Sequence, residues 1–133
     1  MKVTANDLGM CGIEQLIYAG TIKYNTAGAS DGVAIYTMPH DAVITRVVAV
    51  VETAFNAGTT NVLTVGTTAA DANELLGSSD ITEGTAGAYS KLHFMEVAEK
   101  TKIYAKFTET GTDATAGSAD IYLFAVGVPE VIS

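Results

Sequence analysis

Along most of this chain apolar and polar positions alternate with a period of two, the pattern of strands that turn one face inward. Residues 17–24 form the first such run, rich in β-branched and aromatic side chains and closed by Asn25-Thr26-Ala27-Gly28. Asp31-Gly32 marks a turn, residues 33–38 read as a second strand, and Pro39-His40-Asp41-Ala42 is a tight connection. Residues 43–55 are the longest strand candidate. Unbroken alternation puts Val43, Val47, Val51 and Phe55 on one face and Ile44, Val48 and Val50 on the other, beside Arg46 and Glu52. Both faces are mainly apolar, which predicts a central or covered strand.

Asn56-Ala57-Gly58-Thr59-Thr60 has turn chemistry, and residues 61–66 form a short strand with Leu63 and Val65 on one face. Residues 67–85 lack a period. Asp71 to Leu76 suits one helical turn ended by Gly77, or an irregular loop. Strands follow over 92–98, 102–108 and 120–128. In the second of these Ile103, Ala105 and Phe107 face inward, and the third is apolar on both faces until Pro129 stops it. Seven or eight strands without an intervening long helix predict a single all-β domain, an antiparallel β-sandwich or jelly roll. Its expected core is Val47, Val51, Phe55, Leu63, Ile103, Phe107, Ile121 and Leu123. Residues 17–133 form that domain. Residues 1–16 have no usable period and read as an N-terminal arm or lead-in, with Leu8, Met10 and Ile13 as the candidate partner-binding side chains.

Composition changes the picture in one direction. The 133 residues suffice to bury a sizeable core without a disulfide or metal, and Cys11 is the only cysteine. Charged residues are only 17% of the chain, below the ~25% usual in soluble domains. Thr, Ala and Gly fill the difference, giving a bland surface suited to packing against protein. The formal net charge of −8 argues against a nucleic-acid partner, and the Lys residues are interleaved with Glu96, Glu99 and Glu109. No segment has the apolar length of a signal peptide or a membrane span, so the expectation is synthesis in the cytoplasm and no membrane partner.

Candidate chemistry is sparse. His40 and His93 lie in different elements without ligand-spaced partners, and Cys11 has no flanking catalytic motif. Asp71, Asn73, Glu74, Asp80 and Glu83 offer oxygen ligands, but their spacing does not match an EF-hand and a solvated loop explains them. There is no phosphate-binding glycine motif, and with no Trp the six Tyr and four Phe form no evident sugar-binding platform. The expectation is a non-enzyme with no cofactor and no metal.

One stretch is more specific. Pro39-His40-Asp41-Ala42-Val43-Ile44-Thr45 opens the long strand, and Thr53-Ala54-Phe55-Asn56-Ala57-Gly58-Thr59-Thr60 leads to Leu63-Thr64-Val65-Gly66. Gly111-Thr112-Asp113-Ala114-Thr115-Ala116-Gly117 precedes the last strand. Over residues 20–126 this pattern resembles small structural proteins encoded in the head-gene region of tailed bacteriophages. The resemblance implies a β-sandwich placed on a virion in several copies, of the capsid decoration, cement or head-fibre kind, and the leading expectation is a decoration or cement protein on the capsid exterior that stabilises the head. Its partners would be copies of itself, a trimer in the favoured arrangement, and a major capsid protein lattice. The alternative is a fibre- or tail-associated host-attachment module that binds glycans through loops 56–61 and 111–118. Independently of the resemblance, the doubly apolar strands leave more apolar face than one sandwich core requires, and copies of the chain or a lattice would cover it.

An arm of 16 residues spans up to ~50 Å when extended, enough to reach a neighbouring subunit. Deleting residues 2–12 is expected to leave a domain that melts cooperatively at a similar temperature but binds heads or its own copies poorly. A truncated chain that does not fold would assign the segment to the domain core instead.

Overall fold

The computed structural model describes residues 14–127. The expected arm residues Leu8, Met10 and Ile13 lie outside this range. The described residues form seven strands: β1 (Glu14–Lys23), β2 (Val33–Thr37), β3 (Ala42–Thr53), β4 (Thr60–Gly66), β5 (Gly87–Val97), β6 (Lys102–Thr110) and β7 (Ser118–Gly127). The first begins three residues before its expected start, so Glu14, Gln15 and Leu16 belong to a strand. A single 3-10 turn, Ala29–Asp31, is the one helical element among the described residues, and no helix there is long and apolar enough to cross a membrane.

Two antiparallel sheets stack: a larger one ordered β1-β7-β3-β5 and a smaller one ordered β2-β6-β4. Each strand lies in the opposite sheet from its predecessor. The chain thus pairs with itself like a long rolled hairpin, β1 with β7, β2 with β6 and β3 with β5. This is jelly-roll order with one strand of the smaller sheet missing. The missing place, beside β4, is held by the 67–86 connection, which makes one bridge between Val65 and Leu76. Leu75 and Leu76 are adjacent and both fully buried. A regular strand would send them to opposite faces. Nor do they form the helical turn: the N–H groups of both donate to the Val65 carbonyl, each at 3.0 Å.

All eight expected core residues are buried. Within this core the Phe55 and Phe107 rings pack 4.6 Å apart. Phe55 lies just past the end of β3, where Gly117 gives it room. A Cβ there would sit 2.2 Å from the ring, and the backbone has φ 148, so this position requires glycine.

The unbroken alternation expected for the long strand is not what forms. Ala42 and Ile44 are buried, and after them Val47, Ala49 and Val51. The phase changes at Thr45, an extra residue on β3 where pairing steps from Ile44↔Ala125 to Arg46↔Phe124 on β7. This β-bulge turns Ile44 into the core and Val43 out of it. A two-residue period cannot reveal where such a residue is inserted.

The 67–86 connection also protects the outer edge of β4, whose N–H groups would otherwise be unpaired. Leu63 N–H donates to the Glu83 carboxylate at 2.8 Å, and Phe55 N–H donates to the Glu83 carbonyl at 2.9 Å. Glu83 is only 7% exposed. Burial pushes its carboxyl above the usual range, and the N–H bond from Leu63 offsets part of that. A raised folded-state pKa means stability that is present in acid and lost as pH rises through it. Glu83→Gln keeps an acceptor and removes the charge. Urea unfolding at pH 7 is therefore expected to show it at least as stable as the parent, with the two converging below the usual carboxylate range. Glu83→Ala strands the Leu63 N–H and is expected to cost about 1–3 kcal/mol. A Gln variant weaker than the parent at pH 7 would show that the charged bond outweighs desolvation.

Candidate functional site

The inner face of the larger sheet covers the core, and among the described residues no layer lies over its outer face. Register fixes the outward side chains as rungs across β1-β7-β3-β5. The first is Glu14, Val126, Val43 and Glu96, and the second Leu16, Phe124, Arg46 and Leu92. The third is Tyr18, Tyr122, Val48 and Ser90, and the fourth Thr21, Asp120, Val50 and Ala88. Phe94 stands opposite the bulge, between the first two rungs. The two middle rungs are therefore almost wholly apolar and aromatic. Phe94 is 90% exposed, Leu92 71%, Leu16 60% and Tyr18 54%. Single exposed apolar side chains are ordinary, whereas a contiguous set on one sheet marks an interaction surface.

The face has a shallow concavity of about 520 Å³ bounded by Leu16, Arg46, Val48, Val50, Ala88, Ser90, Tyr122 and Phe124. Its side chains brace one another. Tyr18 and Tyr122 rings lie 5.5 Å apart, and the Arg46 guanidinium stands 5.7 Å over the Phe124 ring, a cation–π arrangement that occupies the one central charge. Carboxylates sit at both ends. Thr45 donates its hydroxyl to Glu14 at one end, and Thr21 donates to Asp120 at 2.5 Å at the other. Glu52 lies beside Asp120. A hydrogen bond between the two carboxyl groups and the repulsion of like charges push Glu52 above its usual range.

Other candidates are consumed by the fold. His40 Nδ1 lies 3.0 Å from the Asp41 carbonyl at its turn, and His93 Nε2 lies 2.6 Å from the Leu75 carbonyl, tying the connection to β5. The carboxylates of 67–85 diverge. Glu74 accepts from Thr67 and Asn73, Asp80 accepts from Gly77 N–H at 2.7 Å and meets Lys91 at 3.3 Å, and Glu83 turns to β4. Burial raises Glu74, but these donors outweigh it and hold it low; the Gly77 N–H, followed by Lys91, holds Asp80 low. Among the described residues no three His, Cys, Asp or Glu groups converge as metal ligands. Loops 56–61 and 111–118, the candidate glycan loops, grip each other. Asn56 Oδ1 accepts from Thr115 and Ala116 N–H at 2.8 and 3.0 Å, its Nδ2 donates to Thr115, and Gly58 N–H donates to the Thr112 carbonyl.

No protein-family model matches the sequence, and no curated protein matches it. A solved structure does share the fold. A chain of the cyanophage Pam1 capsid asymmetric unit superposes with a TM-score of 0.63 at 17% identity, covering 86% of this chain and 85% of that one. The likeness extends to nearly the whole of both chains, which are therefore of nearly equal length.

Sequence reasoning points to exposed strand faces as contact carriers but identifies no residue on them. Leu92 and Phe94 are spaced two apart, which places them on one face. With Met95 and Val97 also apolar, however, alternation alone does not say which face is inward. Because both side chains are exposed, Leu92→Ser and Phe94→Ser are expected to change unfolding free energy by no more than about 0.5 kcal/mol. They should also raise solubility. A loss of several kcal/mol in urea titration would mean these side chains are part of the domain's own core.

Proposed function

We propose that this chain is a structural protein of a tailed-phage virion, attached to the outer surface of the head as a decoration or cement subunit. The observation that carries the reading is the open apolar face of the larger sheet on an otherwise well-packed jelly roll. The shared fold and matched length of a chain in a cyanophage capsid asymmetric unit support it. The described side chains suit adhesion better than turnover: the carboxylates and histidines of the connections are engaged in holding loops, and the large exposed apolar side chains gather on the outer face of the larger sheet. On this reading the protein is not an enzyme and acts without a cofactor.

Such a subunit stabilises by mass action. Binding the mature shell in preference to its precursor shifts the equilibrium toward the shell by the binding free energy. Burying a side chain such as Phe94 or Leu92 contributes about 1.5–3 kcal/mol, and the effect is multiplied over the copies on one lattice. The chain would be made in the host cytoplasm and dock after shell assembly, as a trimer about local three-fold positions.

The experiment is to purify particles of the phage that carries the gene by density gradient and quantify this chain by mass spectrometry. The expected result is a stoichiometric presence in filled heads, and heads lacking the chain that open at lower temperature. Absence from the particles, with the chain left in the soluble lysate, would overturn the reading.

A further inference from the structure

The charge pattern on the open face specifies what it docks. The apolar middle rungs are bounded by Glu14 and Glu96 in the first rung and by Asp120, with Glu52 beside it, at the other end. Of the basic groups on the same side, Arg46 lies over Phe124, and Lys23 lies beyond the fourth rung, opposite Ser118. We propose that this face binds a protein surface whose apolar patch is flanked by Lys or Arg at both ends, and that it does not bind a second copy of itself. The proposal rests on the reading above that the face is an attachment surface, and it names the partner's chemistry.

The exclusion of self-pairing follows from the rungs. Two copies can meet face to face about a two-fold axis lying in the interface, in two aligned ways. With the axis along the strands, β1 lies over β5 of the other copy, and Glu14 meets Glu96. Arg46 then meets Phe124. With the axis across the strands, the first rung lies over the fourth. Asp120 then meets Val126, Glu96 meets Ala88, and Arg46 meets Val48. In neither arrangement does a carboxylate lie directly over a cation; the nearest approach is Glu14 over Thr21 in the second, with Lys23 two residues beyond on β1. Each would place carboxylates against each other or against apolar groups, which costs free energy on desolvation. A partner with basic flanks instead gains charge-assisted contacts at both ends while its apolar patch covers Leu16, Leu92 and Phe94.

The test uses the full chain and two synthetic amphipathic helical peptides with the same Leu/Phe face, one flanked by Lys and one by Glu. Purified heads lacking the chain serve as a separate probe. Fluorescence titration is expected to show the Lys-flanked peptide binding at least about tenfold more tightly, a difference of ~1.4 kcal/mol. That preference should shrink with added salt. It should be lost in Glu96→Lys/Asp120→Lys, and Phe94→Ser should weaken binding of both peptides, with thermal unfolding of each variant unchanged. Equal binding of the two peptides overturns the proposal, whatever the heads do. So does self-association, measured by sedimentation equilibrium, that Phe94→Ser abolishes. Peptide discrimination without binding to heads upholds the face's chemistry and refutes the head-surface role.

Discussion

β3 and β7 stand at the centre of the larger sheet with apolar side chains on both faces, and the smaller sheet can cover only one of those faces. The rest of the molecule is arranged around this constraint. Ile44, Val47, Ala49, Val51, Ala119, Ile121, Leu123 and Ala125 meet the smaller sheet and are sealed from water. Val43, Val48, Val50, Tyr122, Phe124 and Val126 remain on the other side, half-buried by their neighbours alone. A two-layer sandwich normally alternates apolar inside with polar outside. Where the outside is also apolar, a third layer is implied, and it is not supplied by the described part of this chain.

The smaller sheet meets a different problem with the same economy of strands. Its edge at β4 lacks the strand that would complete a jelly roll. Residues 67–86 replace that strand's hydrogen bonds piecemeal: one bridge at Leu76 and one carboxylate, Glu83, that accepts from Leu63 N–H. Close approach makes the replacement possible. Gly66 passes so near Glu74 that a Cβ would lie 2.1 Å from its carboxylate oxygen. The connection thereby covers this edge against pairing with another chain.

The sequence makes the inward face of β6 legible because Ile103, Ala105 and Phe107 keep a strict two-residue period among polar and tyrosine neighbours. In β3 the same rule fails at one residue. Thr45 is extra, and a β-branched polar residue inside an apolar strand gives no sign of being a bulge. Alternation therefore assigns Val43 and Ile44 to the wrong sides while placing Val47 and Val51 correctly. The 67–86 connection is unreadable for a related reason. Its fold is set by contacts with residues distant in sequence, such as Glu83 with Leu63 and His93 with Leu75, and no local pattern encodes them. The open face is visible in the sequence only as an excess of apolar positions. Leu16 and Tyr18 become part of one surface with Leu92 and Phe94 through the strand order β1-β7-β3-β5, which depends on pairing and not on composition.

The low charge content and the acidic balance act together on that surface. An exposed aromatic band invites association with any apolar surface, including the same band on another copy. Solubility could have been secured by charges within the band, but each would then have to be desolvated when the partner docks. Here the carboxylates stand at its ends, where water still reaches Glu14, Glu96 and Glu52. They repel other copies, which carry the same ends, without interrupting the apolar centre. The elevation of Glu52 beside Asp120 records the cost of crowding two carboxylates there. On the proposal above, a basic flank on the partner would set a cation beside this carboxylate pair.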